Sequence, residues 1–399
     1  MNIIRRIYCR AFQAAFHVAI PFLPYHYPEI HNSLDDIPGI LKKHGINTVL
    51  FVTDKGLVKA GLAKMVEDVL TNAGINFHTY SDTVPNPTIT NVESVRQLYV
   101  DTHAQAFIAL GGGSAMDCAK AAAARIARPN KTIPQMRGIL KVHHKLPPLI
   151  AIPTTAGTGS ETTVAAIVTD SSKQYKYMVS DFCLIPPYAI HDYRLTVGLP
   201  QHITATTGMD AITHAVEAYI GGSTTRETRR AAEEATNLIH GYLYRAYIDG
   251  NDAEARQKML RASYCAGIAF SKSYVGYVHA VAHSLGGKYG TPHGLANSVL
   301  LPKVLRFYGE AAYKRLAKLA RRSGVVKQGF SDEQTANMFI DWIQEMNDRM
   351  SIPHFIPEVR EADIPEMAAH ADAEGNPLYP VPVLMNKREL KNLYRLVVA

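Results

Sequence analysis

An α/β domain followed by an all-helical one is the fold class predicted here, on three observations. Residues from about 47 to 195 alternate short β-rich runs with helical ones. From about 200 the chain carries long helical patterns with few β-branched runs. At 399 residues it exceeds what one hydrophobic core usually serves. The boundary falls just after LTVGLP (195–200), giving domains 1–198 and 199–399.

In chain order, MNIIRRIYCRAFQAAFHVAIPFLPYHYP begins basic and turns apolar, but it has no uninterrupted hydrophobic stretch before a small-residue cleavage site and nothing that spans a bilayer. Ile3, Ile4, Ile7, Tyr8, Ala11, Phe12, Ala15 and Phe16 recur at helical spacing, with Arg5, Arg6 and Arg10 elsewhere on the wheel. Residues 1–25 therefore read as an amphipathic helical extension of the first domain, packed on its own protein or a partner subunit, or touching a membrane surface. NTVLFVTD (47–54) is a buried strand, followed by one helix through KGLVKAGLAKMVEDVLTNAG. NFHTYSD, AFIALGGGS, PPLIAIPTT, AAIVTD, YKYMVS and YAIHD read as further strands, with a helix through TITNVESVRQLYVDTHA. Strand–helix alternation with apolar strands implies a largely parallel sheet covered on both faces.

Composition narrows the partners. Apolar residues make up 47% and charged residues 19%, an ordinary globular balance. The net charge is +7, yet basic residues occur in no run longer than a pair, which argues against a nucleic-acid groove. Cys9, Cys118, Cys183 and Cys265 are far apart with no CxxC pair, so reduced thiols in a cytoplasmic protein are expected rather than disulfides or a thiolate zinc site.

AFIALGGGSAMDCAKAAA (106–123) is a strand, three glycines and an alanine-rich helix. Glycines let the backbone approach a ligand and a helix N-terminus offers N–H groups to phosphate; a plain tight turn explains the same residues equally well. Ser114 is placed to cap that helix. Asp54 ends the first strand, where a carboxylate would accept ribose hydroxyls and repel a 2′-phosphate, favouring NAD over NADP. Neighbouring Lys55 weakens that preference, and a helix N-cap is an equal reading of Asp54. IPTTAGTGSETT (152–163) is a hydroxyl-rich loop suited to close ligand contact.

The helical half offers metal chemistry. Asp210 and His214 in GMDAITHAVEA, and His279 and His283 in VHAVAHSLGG, each stand four apart on one helix face, the second helix being expected to stop at Gly286–Gly287. His293 follows Pro292 at a new helix start. A carboxylate with several imidazoles and no thiolate suits Fe(II), Zn(II), Co(II) or Mn(II).

With these segments assembled, the chain resembles the iron-containing alcohol dehydrogenase family from about residue 40 onward. TDKG, PNPT, GGGSAMDCAKA, IPTTAGTGSE, GMDAITHAVEAY, VHAVAHSLGG and PHGLANSVLLP occur in the family's order. The resemblance implies a Rossmann-like dinucleotide domain and an all-helical metal-binding domain. It also implies interconversion of primary alcohols or small diols with aldehydes, and a homodimer or larger assembly. Its metal ligands fall on Asp210, His214, His279 and His293, with His283 as the helper near substrate and nicotinamide. Its NAD(P) contacts fall on Asp54, Asn86, Gly112, Gly113, Ser114, Asp117, Thr154, Thr155, Thr158, Thr163 and Lys176. The chain departs from the family in AFSKSYVGYVHA, where Lys272, Tyr274 and Tyr277 replace smaller or neutral residues; Lys272 is expected to point outward. Competing readings are a glycerol dehydrogenase or maleylacetate reductase on the same fold, a metal-dependent hydrolase, or a membrane-associated scaffold.

Overall fold

The computed structural model describes residues 1–172 and 175–398, and every count below is of these. Two compact units divide the chain: Pro24–Val197, and Met1–Leu23 together with Gly198–Ala399.

The chain opens with α1 (Ile3–Ala19), N-capped by the Asn2 side chain. The expectation that residues 1–25 extend the strand-rich domain is corrected here, since the first 23 residues belong to the helical unit. The reason is polar anchoring. Arg5 bonds Asp372 at 2.9 Å, Arg10 donates to the carbonyls of Val381 and Pro382, and Gln13 donates to those of Pro377 and Tyr379. The docked face is thus the polar one, not the apolar stripe.

In Pro24–Val197 the elements run β1 (Glu29–His31), α2 (Ile37–Lys43), β2 (Thr48–Val52), α3 (Lys55–Lys59), α4 (Leu62–Asn72), β3 (Asn76–Tyr80), α5 (Ile89–Asp101), β4 (Ala106–Gly111) and α6 (Gly113–Ala127). They continue with β5 (Gly138–Ile139), β6 (Leu149–Pro153), β7 (Ala165–Asp170), β8 (Tyr175–Ser180) and β9 (Tyr188–Ile190). Six strands pair in parallel in the order β1-β9-β6-β4-β2-β3. Every residue of β4 and β6 is buried, as a sheet covered on both faces requires.

Three features differ from the sequence expectation. β7 and β8 pair antiparallel and, with β5, form a separate three-stranded sheet. The single helix expected after β2 breaks into α3 and α4 at Gly61, whose φ of +77° suits glycine. β1 adds an edge strand on β9 where none was expected.

α6 is apolar nearly all round, and its alanines at 115, 119 and 121–124 are buried. Small side chains let it lie close against its neighbours, and Lys120 is carried inside with them. The Lys120 ammonium donates to the carbonyls of Ser160, Thr163 and Ala165 and to Thr163 Oγ1 at 2.8 Å. Asp117, one turn earlier, accepts Ser160 Oγ at 3.0 Å and the Ile167 N–H at 3.1 Å. Burial pushes Asp117 up to about 6 and Lys120 down to about 8, each shift moderated by the other's charge.

The helical unit adds α7 (Gln201–Ile220), α8 (Arg226–Ile248), α9 (Ala253–Ser273), α10 (Tyr277–Tyr289), α11 (His293–Tyr308), α12 (Glu310–Arg322), α13 (Asp332–Arg349), α14 (Ile364–Gly375) and α15 (Lys387–Arg395). Thr225, Ser331 and Asn386 open α8, α13 and α15 with capping boxes. α10 runs past the expected stop at Gly286–Gly287 and ends at Gly290, which takes the left-handed conformation (φ +70°). No described helix is long and apolar enough to cross a membrane.

Lys120→Met should leave buried carbonyls without a donor and Asp117 without its cation, costing about 3–5 kcal/mol. Thermal unfolding would then show a fall of roughly 6–15 °C for a unit of this size; an unchanged midpoint would refute the role assigned to this ammonium.

Candidate active site

Three helices of the second unit bring side chains to one point. α7 carries Asp210, His214 and Glu217 at i, i+4 and i+7, on one face. α10 supplies His279 and His283, and α11 begins at His293. One ligand atom from each of Asp210, His214, His279 and His293 lies within 4.8 Å of the others. Asp210 Oδ1 is 3.9 Å from His279 Nε2 and 3.5 Å from His293 Nε2. Coordinate bonds of about 2.0–2.2 Å put two ligands of a tetrahedral ion roughly 3.3–3.6 Å apart, so a closure of about an ångström or less separates this group from coordination spacing.

Local chemistry explains the convergence. A Cβ on Gly294 would meet the Thr206 carbonyl oxygen at 2.5 Å, so glycine lets the start of α11 touch the backbone of α7. A Cβ on Gly276 would meet Glu217 Oε1 at 2.6 Å. Glu217 uses that space: Oε1 accepts the Val278 N–H at 2.8 Å, and Oε2 accepts the Gly276 N–H at 2.8 Å and His279 Nδ1 at 2.6 Å. The carboxylate therefore caps α10 and holds the His279 proton on Nδ1, leaving the Nε2 lone pair towards Asp210. Burial pushes Glu217 up to about 7 against the pull of these N–H groups. Burial, reinforced by the neighbouring imidazoles, holds His279 well below the ordinary histidine value, so its ring is neutral.

Asn297, one turn after His293, tests whether a cation fits. Its buried amide nitrogen is 2.7 Å from Asp210 Oδ1, 3.2 Å from His279 Nε2 and 3.1 Å from His293 Nε2. The amide thus faces one carboxylate oxygen and two ring nitrogens, the His279 nitrogen being an acceptor because its Nδ1 is turned to Glu217. One carboxylate and three imidazoles converging in a largely buried place are the donor set that a divalent ion with O/N ligands takes.

His283 stands beside this group. Its ring stacks on His293 with centroids 5.2 Å apart, and its Nδ1 lies 2.6 Å from Glu374 Oε1 on α14. The same Glu374 oxygen accepts the Tyr379 hydroxyl at 2.6 Å. A carboxylate on Nδ1 leaves Nε2 as the ring's proton acceptor.

In the other unit, β4 runs through Gly111 and Gly112 into α6. Gly112 is the N-cap and brings no side chain to the first-turn amides. Ser114, expected as that cap, instead accepts the Asn86 N–H at 3.1 Å, because the glycine turn already occupies the cap position. A Cβ on Gly112 would meet Thr155 Oγ1 at 3.3 Å, and one on Gly113 would meet Thr158 at 3.4 Å. Thr155 Oγ1 is buried with no hydrogen-bond partner among the described residues, which marks a place for a polar ligand.

Asp54 lies at the end of β2, beside β4, and its Oδ1 caps α3 through the Leu57 N–H. Lys55 turns to Asp82 at 2.7 Å. Thr154 is buried, its N–H on the Gly111 carbonyl. Asn86 takes a positive φ of 58° and accepts Thr169 Oγ1. The fold thus gathers Asp54, Asn86, Gly112, Gly113, Ser114, Thr154, Thr155 and Thr158 around the turn. Asp117 and Thr163 face inward to Lys120 instead. Lys176 lies on β8 opposite Thr169, and burial lowers its pKa.

Lys272 ion-pairs with Glu227 at 2.8 Å, and Tyr277 is fully buried, its hydroxyl donating to Asn376 Oδ1 and accepting the Met385 N–H. Glu217, Asn297 and Glu374 escaped the sequence reading. The first two were legible as i+7 from Asp210 and i+4 from His293; Glu374, distant in sequence, was not.

Residues 28–193 match the family model described as iron-containing alcohol dehydrogenase, and residues 204–398 match that family's C-terminal domain. Alcohol dehydrogenase 4 of Schizosaccharomyces pombe is 37% identical over 380 residues, covering 92% of this chain and 88% of that protein. The NAD-dependent methanol dehydrogenase of Bacillus methanolicus is 37% identical over 333 residues, covering 83% and 87%. The crystal structure of a 1,3-propanediol oxidoreductase superposes with a TM-score of 0.88 at 35% identity, covering 94% of this chain and 98% of that one. The chain therefore belongs to the iron-containing alcohol dehydrogenase family and is an oxidoreductase.

Proposed function

We propose that this enzyme interconverts primary alcohols or small diols with aldehydes, using NAD(H) and an Fe(II) ion, with Zn(II) as a substitute, held by Asp210, His214, His279 and His293. The observation that carries this reading is the convergence of those four ligand atoms, three of them from buried residues. Similarity to an NAD-dependent methanol dehydrogenase and to a 1,3-propanediol oxidoreductase supports the substrate class. When bound, the ion supplies Lewis-acid polarisation of the substrate oxygen, and the nicotinamide accepts or returns hydride.

The chain's own residues do the rest. Asp210 is the one carboxylate among the ligands, so with three neutral imidazoles about half of a divalent ion's charge stays uncancelled. Glu217 holds His279 in the ligating tautomer. His283 takes the hydroxyl proton at Nε2, and Glu374, itself fixed by Tyr379, orients that ring. Gly112 and Gly113 admit the cofactor's pyrophosphate to the start of α6, with Thr155 and Ser114 beside it. Asp54 favours the ribose of NAD over a 2′-phosphate. Four free thiols suit the reducing cytoplasm.

Anaerobic assays of NADH oxidation with short aldehydes should show activity that vanishes on chelation and returns with Fe(II). Asp210→Ala should recover neither metal nor turnover; full activity of metal-free protein would refute the assignment. Glu217→Ala should weaken metal binding about 10–100-fold in competition with a chromogenic chelator, and an unchanged affinity would show that His279 needs no such support. Glu374→Gln should keep its metal and KM while kcat falls roughly tenfold or more, with His283→Ala falling further, about 100-fold. Wild-type kcat in either variant would remove the proton role from this pair.

A further inference from the structure

α1 docks by the wrong face for an ordinary amphipathic helix. Cys9 and Gln13 are buried, Arg5 and Arg10 bond inward, and Phe16 sets its edge on Tyr274 at 4.9 Å. At 100° per residue the remaining arc of about 180° holds Ile3, Ile4, Ile7, Tyr8, Phe12 and Val18, with alanines between them and no charge. These side chains face outward: Ile4 is 77% exposed, Ile3 74%, Val18 68% and Ile7 64%. Phe22, in the turn that follows, is 84% exposed and prolongs the strip. A contiguous apolar strip one helix long is larger than scattered surface residues account for, and it calls for a partner.

Charge selects which partner. Arg6 and Arg10 border the strip on one side, Arg5 on the other is already ion-paired with Asp372, and residues 1–28 contain no aspartate or glutamate. Arg10 is held by two carbonyl oxygens and Gln13, none of which cancels its charge. Bulky apolar side chains on one face with basic side chains at its borders is the composition of a helix lying in the plane of an anionic lipid surface. Self-pairing with a second copy would bury the same strip, but it would bring the arginines of both helices together with no carboxylate on either to meet them. We propose that α1 is a lipid-facing plate by which this enzyme associates reversibly with anionic phospholipid membranes. The proposal is independent of the metal and cofactor chemistry.

The purified enzyme should be sedimented with vesicles of neutral phosphatidylcholine, with and without about a third phosphatidylglycerol to give the surface a negative potential. The expected result is at least tenfold more protein bound to the anionic vesicles, released by raising salt. Ile4→Asp/Ile7→Asp should abolish binding while the dehydrogenase activity of the soluble enzyme stays at wild type. Arg6→Glu, a surface change that leaves the apolar strip intact, should weaken binding severalfold. Absence of binding by the wild type to either vesicle, or equal binding to both, overturns the proposal. So does a drop in oligomer mass of the double variant in light scattering with vesicle binding retained, which would assign the strip to a second copy.

Discussion

Glu217 is buried on α7 and accepts three N–H groups, two from the first turn of α10 and one from His279. Asp210 and His214 leave the same face of α7 in the two preceding turns. One carboxylate thereby sets both the point where α10 starts and the phase at which it turns about its axis. His279 is the third residue of that helix, so fixing the first turn fixes the direction of its ring. His283, four residues on, follows on the same face and reaches His293 and Glu374. Had α10 been capped by one of its own side chains, its rotation would be decoupled from α7 and the ligand spacing would rest on packing contacts.

Close approach is the second requirement. Gly294 and Gly208 sit where a Cβ would collide with the Thr206 backbone and with Leu243. A leucine terminus can swing aside, whereas a backbone carbonyl cannot, so Gly294 is the stricter of the two. An alanine there would push α11 and His293 off by most of an ångström, the scale of displacement that degrades preorganised sites. Imidazoles and a carboxylate at 3.5–3.9 Å have little such slack.

The candidate metal group is partly legible in the sequence because helical spacing is a local code, the set of four itself coming from the family resemblance. Asp210/His214 and His279/His283 each declare a shared face, and Pro292 declares a helix start before His293. What separates His283 from the convergent group is not local: its Nδ1 is bonded to Glu374, from a helix about ninety residues later. The glycine turn was equally visible, but the direction of each side chain around it was not. Ser114 faces Asn86 and Asp117 faces inward because the turn and α6 present successive residues to different neighbours. The antiparallel pairing of β7 with β8 was also hidden, since alternation and apolar content do not encode strand direction. For α1 the hydrophobic pattern predicts the helix but not which face docks, because polar anchors at Arg5, Arg10 and Gln13 decide the orientation.

Both units bury a charge-bearing side chain and surround it with backbone partners of opposite polarity: Lys120 among carbonyls, Glu217 among N–H groups. Such groups rarely add net stability compared with a well-packed apolar substitute, because desolvation offsets most of the attraction. Their effect is directional. Lys120 ties the Ser160–Ala165 segment to α6, the helix whose first turn forms the glycine cradle. Glu217 ties α10 to α7. Apolar packing tolerates sliding by fractions of an ångström, whereas a buried ammonium or carboxylate with three or more short hydrogen bonds loses all of them together. In each unit, then, the residue that appears least suited to a core is the one that converts a packed core into a positioned site.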